Sequence, residues 1–404
     1  MLRLVLPVRS MSTSERSYAI VVFGATGFTG RLAAEYLARK GREEPLRWAI
    51  AGRSAAKLAE VKAALTAIDP ACASLGVLEA TSNDPASLSR MAAQTRVVLT
   101  TVGPYAEHGE PLVAACIKEG TDYVDITGEP DFVDGLLDRH HAAARARGVR
   151  IVSCCGFDSI PQDLGALFTV EQLPRDAPIT LEGFVRAKGS FSGGTWQSAV
   201  GVMANLRSRS KRPREQASSG REVRAIKPRI HHEGSLGAWA CPMPTIDPQI
   251  ILRSARALDV YGPDFRYGHY LQVRSGLSLA GLVVGVGAVV ALAQIPPARE
   301  LLRKIRGSGE GPSVEERAKG SFKVTFHGTS GDHRVVTRVS GGDPGYTETA
   351  KMVAESALCL ALDSERLSSH SAQGGVLTPA EAMGDVLIER LQKVGIRFEV
   401  LEKR

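Results

Sequence analysis

The stretch Ala19-Ile20-Val21-Val22-Phe23-Gly24-Ala25-Thr26-Gly27-Phe28-Thr29-Gly30 decides the fold. An apolar run leads straight into three evenly spaced glycines, and Arg31-Leu32-Ala33-Ala34-Glu35 then reads as helix. Strand, tight turn and helix N-terminus in that order make a dinucleotide cradle. The first glycine permits the turn, and the second lets backbone N–H groups approach a pyrophosphate. That pyrophosphate rests on the positive end of the helix. Gly24, Thr26, Gly27, Phe28, Thr29 and Gly30 are therefore the expected core of a cofactor site.

Outward from this point the pattern repeats. Short apolar runs at 18–23, 47–51, 75–79, 96–101, 121–126 and 150–153 alternate with helical stretches at 29–40, 55–65, 85–93, 111–119 and 132–147. Such alternation predicts an α/β fold, a Rossmann-type doubly wound parallel sheet. We assign it to residues 18–165, with 1–17 as a dispensable N-terminal extension. Beyond Gly165 the texture changes. Residues 179–187, 250–257, 322–327, 334–339 and 396–401 read as strands, and 345–362 and 378–394 as helices. Residues 166–404 are thus expected to form a second, α+β substrate domain. Its C-terminal helix and strand would pack back on the first domain.

The end of the second strand selects the cofactor. Enzymes that use NAD place an Asp or Glu there to hold the ribose hydroxyls. Here Trp48-Ala49-Ile50-Ala51 runs into Gly52-Arg53-Ser54, and the first acid is Glu60. A guanidinium pairs bidentately with a 2′-phosphate, so Arg53 and Ser54 point to NADP(H). Other strand ends carry similar turns: Gly103-Pro104-Tyr105, Gly128-Glu129-Pro130 and Gly156-Phe157-Asp158-Ser159. Ligands of open α/β sheets sit at the carboxyl ends of strands, which adds Gly103 and Pro104 to the cofactor site. Tyr105, Asp158 and Ser159 are the candidate catalytic groups, with Tyr105 as a proton donor. The bland alternative for Ser159 is a capping box with Gln162. Gly193-Gly194-Thr195 precedes another helix and is a further candidate for binding substrate.

Composition narrows the classes. The chain has 404 residues, 44% hydrophobic, with a formal net charge of +7. Its six cysteines show no C-x-x-C pair and no metal-like spacing with histidine, so neither a disulfide framework nor a metal site is expected. Lys and Arg crowd 207–229, which we read as a solvated loop or a contact with anionic headgroups. No aromatics are interleaved there, so nucleic acid is not an expected partner. Residues 276–296 lack any charge and are flanked by Arg274, Arg299, Arg303, Lys304 and Arg306. That length approaches a membrane span. The strands expected on both sides of it argue for an interfacial segment or a buried helix instead. Cytoplasmic, membrane- or lipid-associated localisation follows as the expectation, with a homodimer possible.

The strings Gly342-Asp343-Pro344-Gly345-Tyr346 and Gly375-Val376-Leu377-Thr378-Pro379-Ala380, with the turns above, carry a family resemblance. The chain resembles the saccharopine dehydrogenase-like oxidoreductases, and among them the trans-acting enoyl reductases. That resemblance implies a Rossmann domain, NADP(H), and reduction of a carbon–carbon double bond on a lipid-linked or polyketide acyl chain. Two alternatives stand beside it: a non-catalytic NADPH-binding protein at a lipid surface, and an amino-acid dehydrogenase of the saccharopine type. The resemblance carries over no catalytic residue.

Overall fold

The structure, a computed structural model, describes residues 16–189, 221–304 and 311–404. Six strands of the N-terminal part are β1 (Tyr18–Phe23), β2 (Trp48–Gly52), β3 (Gly76–Glu79), β4 (Thr95–Thr100), β5 (Asp122–Asp125) and β6 (Arg150–Val152). They form one parallel sheet in the order β6-β5-β4-β1-β2-β3. The chain reverses its direction of growth between β1 and β4, and a doubly wound sheet opens its ligand crevice at that switch. Alternation along β1 assigns its side chains to the two faces. Ile20 and Val22 join one core and Val21 and Phe23 the other, as the two-residue period of a strand demands.

A seventh strand extends the sheet beyond β6, and it comes from Gly375–Leu377, far outside 18–165. The sheet needs the C-terminal region for a second reason. Right-handed crossovers put helices Tyr105–Glu119 and Pro130–Ala146 on one face of β4, β5 and β6. The opposite face is covered by helix Thr347–Leu362, which packs on β1, β4, β5 and helix Phe28–Lys40. Most of its residues are buried. Part of the expected extension is also built in. The Arg16 guanidinium donates to the Thr95 carbonyl at 2.5 Å and the Ala92 carbonyl at 3.0 Å, so a dispensable arm cannot run to residue 17. Residues 1–15 lie outside the described residues.

The second sheet comprises β7 (Ile179–Lys188), β8 (Glu222–Ala225), β9 (His231–Glu233), β10 (Ala238–Pro242), β11 (Asp264–Val273), β12 (Ser321–Ser330), β13 (His333–Gly341) and β15 (Arg397–Lys403), numbering Gly375–Leu377 as β14. It is mixed: β7 pairs parallel with β11 and antiparallel with β12. The strand expected at 250–257 is instead helix Asp247–Ala257. Ile250, Ile251, Ser254 and Ala255 are its buried face, a helical spacing that a short apolar run disguises. Helix Ile160–Val170 fills the space between the two sheets, and all but one of its residues are buried. A Cβ on its Gly165 would come within 2.4 Å of the Phe326 ring, so only glycine allows that close approach to β12.

Arg390 ties helix Gly384–Lys393 to helix Thr347–Leu362 with its C-cap, and to the loop after helix Phe28–Lys40. Its guanidinium donates to Glu355 at 2.6 Å, to Asp363 at 2.8 Å and to Glu44 at 2.8 Å. Glu355 also accepts from the Tyr36 hydroxyl at 2.5 Å. The Arg390 side chain is 9% exposed and that of Glu355 1%. Removing the cation leaves carboxylates buried without their partner. Arg390→Ala should therefore destabilise the chain by about 3–5 kcal/mol, read as a lower urea midpoint with an unchanged m-value.

Candidate active site

At the end of β1 the chain turns sharply at Gly24, φ +90°, where a side chain would be strained. The Gly24 N–H donates to the Ala51 carbonyl at 3.0 Å, and its own carbonyl accepts from the Gly27 N–H at 2.9 Å. Helix Phe28–Lys40 starts there with no side-chain cap. Gly30 seats that helix on the sheet, because a Cβ would lie 2.2 Å from the Gly24 carbonyl oxygen and 2.6 Å from Thr101 Oγ1. Thr26 and Gly27 are exposed above this cradle, and Thr29 is half-buried. Arg53 stands exposed just past β2. These features fit a dinucleotide: an uncapped helix end for the pyrophosphate and a free-standing guanidinium at the ribose end.

Two of the expected cofactor residues have structural duties. Ser54 accepts from the Lys57 N–H at 3.4 Å and caps helix Ala55–Ile68. The Phe28 ring meets Tyr346 edge-on at 4.9 Å, and the Arg317 guanidinium lies 5.7 Å over it. Thus the C-terminal half forms a wall beside the turn. Gly103 and Pro104, joined by a cis peptide, are exposed at the end of β4.

Tyr105, expected as a proton donor, does not face the crevice. It is buried, and its hydroxyl donates to the Thr100 carbonyl at 3.2 Å and accepts from the Ile126 N–H at 3.4 Å. Burial pushes its ionisation well above the usual phenol range. A hydroxyl spent on both neighbouring strands cannot also serve a substrate. Glu129 is engaged too, since its carboxylate accepts from the N–H groups of Tyr105 at 3.1 Å and Ala106 at 2.9 Å. It thereby satisfies the start of helix Tyr105–Glu119.

The turn after β6 is strained: Cys154 and Ser159, neither a glycine, have φ of +63° and +110°. Asp125 braces it, accepting from the N–H groups of Thr127 and Cys154 and from the hydroxyls of Tyr123 and Ser153. Cys154 and Cys155 are buried. The capping box expected between Ser159 and Gln162 is absent, because a left-handed residue cannot aim its hydroxyl along the helix. Ser159 instead donates to Asp247 at 3.0 Å, inside the protein. Asp158 differs from its neighbours. It is half-buried, and a Cβ on Gly128 would lie 3.1 Å from its Oδ2, so the carboxyl stands at the adjacent strand end. Burial, helped by the nearby Asp247 charge, pushes it up to about 7.

Of the three catalytic candidates, only Asp158 presents a group that is not consumed by a described neighbour. Sequence reasoning missed Asp247 and His269, which stand behind Ser159. Asp247-Pro248 does carry a helix-start signal, whereas nothing marks His269 within its strand. Gly193, Gly194 and Thr195 lie outside the described residues, as does 207–220 of the basic stretch.

Comparison with known proteins agrees with this geometry. Residues 20–152 match the profile of the saccharopine dehydrogenase NADP binding domain. A Mycobacterium tuberculosis protein proposed to be a trans-acting enoyl reductase is 38% identical, over 96% of this chain and 99% of its own length. The human saccharopine dehydrogenase-like oxidoreductase is 33% identical, over 97% of this chain and 99% of its own. Among solved structures, the saccharopine dehydrogenase (L-Glu forming) of Saccharomyces cerevisiae superposes with a TM-score of 0.53 at 12% identity, covering 95% of this chain and all of that one. That last likeness concerns the fold alone.

Tyr105→Phe separates the expected role from the observed one. It should leave NADPH affinity unchanged and cost about 1–3 kcal/mol of stability, since it unpairs the buried Ile126 N–H. Calorimetric titration and urea unfolding measure the two quantities.

Proposed function

This chain belongs to the saccharopine dehydrogenase-like oxidoreductases and binds NADP(H), and on that premise we propose that it reduces a carbon–carbon double bond on a lipid-linked acyl chain. The observation that carries the reading is the Asp158 carboxyl at the ends of β5 and β6. It is the available proton source among the candidate residues. NADPH supplies a hydride when bound. The chain must then furnish a proton, so that one hydride and one proton together saturate the double bond. Asp158 is protonated below about pH 7 and can give that proton to the carbon next to the carbonyl. Near-full-length similarity to a protein itself proposed to be a trans-acting enoyl reductase supports the same chemistry.

The apolar segment supports a lipid substrate and attachment to a lipid surface. Residues Gly276–Ala293 form one helix of mean hydropathy 2.3, and only 11% of that window is buried. Leu277 is 87% exposed and Val284 72%. A helix destined for the core of the folded chain would not present these side chains to water. Its ends lead back to β11 and β12 of the same sheet, so it does not separate the two domains across a bilayer. It would lie in the interface, with Arg274 and Arg299 near anionic headgroups.

The reaction is tested by NADPH oxidation with enoyl thioesters of increasing chain length. Turnover should favour long chains, because each buried methylene contributes about 0.8 kcal/mol. Asp158→Asn should lower kcat by about 100-fold or more with NADPH still bound. Arg53→Ala should erase a preference for NADPH over NADH of about 10–150-fold, the worth of a charge-assisted pair. Cofactor binding without turnover on any enoyl substrate would favour the binding-protein reading.

Attachment is tested by flotation with vesicles containing phosphatidylserine. The intact protein should rise with the vesicles, and the double variant Leu277→Lys, Val284→Lys should remain behind. A protein that never floats would overturn the attachment.

A further inference from the structure

The Gly342–Tyr346 string lies against the dinucleotide turn, although the two stand near opposite ends of the chain. Asp343 fixes its form, because the carboxylate accepts from the N–H groups of Tyr346 at 3.2 Å and Thr347 at 2.9 Å. That places the Tyr346 ring edge-on to Phe28. It also places the Thr347 hydroxyl, which accepts from Arg317 Nη1 at 3.3 Å. Two glycines let the segment that carries Arg317 pass this close. A Cβ on Gly320 would lie 2.7 Å from the Asp343 Cβ, and one on Gly311 would run into the Phe28 ring. Residues 311–320 therefore run from Phe28 to the Gly342–Tyr346 string, with Arg317 on the short helix Val314–Ala318 between them.

The Arg317 guanidinium lies over the Phe28 ring, 5.7 Å from its centroid. Among the described residues it meets that ring and the Thr347 hydroxyl, and no carboxylate. Its Nε is buried and without a hydrogen-bond partner. The preceding acid, Glu316, is spent within a capping box, accepting from the Ser313 N–H at 2.9 Å. Phe28 is also the first residue of the uncapped helix. The first intrahelical bond there runs from the Arg31 N–H to the Gly27 carbonyl at 2.8 Å. The N–H groups of Phe28, Thr29 and Gly30 thus have no acceptor within the helix. An unpaired cation and the positive end of a helix stand side by side, an arrangement that an anion between them would stabilise.

We propose that Arg317 is a cofactor-binding residue, whose guanidinium holds the pyrophosphate of NADP(H) together with the N–H groups that open helix Phe28–Lys40. The proposal rests on NADP(H) binding and is independent of the enoyl reaction. It gives the Gly342–Tyr346 string a task, which is to seat the cation beside the turn. The second half of the chain thereby completes the cofactor site. Arg53, assigned to the 2′-phosphate, stands at its other end, so two arginines divide the cofactor's charge.

Calorimetric titration of the full chain with NADP+, from about 50 to 300 mM salt, reads the contact without turnover. Arg317→Gln should weaken NADP+ by about tenfold or more and flatten its salt dependence, since one charge contact is gone. Adenosine 2′-phosphate lacks the pyrophosphate and should bind Arg317→Gln and the unaltered chain alike. Arg53→Ala should weaken both ligands. Arg317→Lys keeps a cation without the planar fork, so its NADP+ affinity should fall between those of Arg317→Gln and the unaltered chain. Urea midpoints check folding, and if Arg317→Gln does not fold, the same two-ligand comparison in Arg317→Lys decides. Unchanged NADP+ affinity in Arg317→Gln overturns the proposal. So does an equal loss for adenosine 2′-phosphate, or a loss with the salt dependence intact, because either marks a merely structural role.

Discussion

Asp163 fastens the two halves of the molecule together. Its carboxylate sits near the start of helix Ile160–Val170, buried, and accepts from the Ser254 hydroxyl at 2.6 Å and the Ala380 N–H at 2.8 Å. Those partners come from helix Asp247–Ala257 and from the segment after the last strand of the first sheet. Burial pushes this carboxyl up to about 7 in spite of the bonds, so fixing it there has a real cost. What the cost secures is the placing of the helix. Directly before it comes the strained turn with Asp158 and Ser159, and directly behind it lie the side chains of β12 and β13. The crevice and the second sheet thus share one rigid element.

The first domain carries the NADP-binding turn, and side chains of the second wall it. The glycine turn, helix Phe28–Lys40 and Arg53 are local features of the first strands. Phe28 is nevertheless walled by Tyr346 and Arg317, and Ser159 is held by Asp247, which His269 faces. Every one of those four residues lies beyond position 240. Nicotinamide chemistry is general, and selectivity depends on such surroundings. The exposed apolar helix belongs to the same half of the chain, between β11 and β12.

The polar groups sequence reasoning singled out divide by where their hydrogen bonds go. Tyr105, Glu129, Ser54 and Ser159 all follow strands or precede helices, as catalytic groups often do. All four instead satisfy backbone or buried acids. A strand end in this fold exposes unpaired N–H and C=O groups as well as ligands, and the same residue types serve both needs. Spacing along the chain cannot tell which need a given side chain meets.

The sequence by itself determined six strands of the parallel sheet, their limits to within a residue or two, the glycine turn that opens the first helix and the identity of the cofactor. These rest on short-range causes: the two-residue period of strands, glycine's freedom at Gly24, the helix that starts at Phe28, and an arginine where an acid would hold ribose. Tertiary structure alone decided the rest. A three-residue strand at Gly375–Leu377 has too little pattern to reveal its partner, and it joins β6 across more than two hundred residues. Helix Asp247–Ala257 shows an apolar run too short to distinguish from a strand. Whether a hydroxyl reaches a substrate or a neighbouring carbonyl is a matter of ångströms between segments distant in sequence, and only packing fixes those distances.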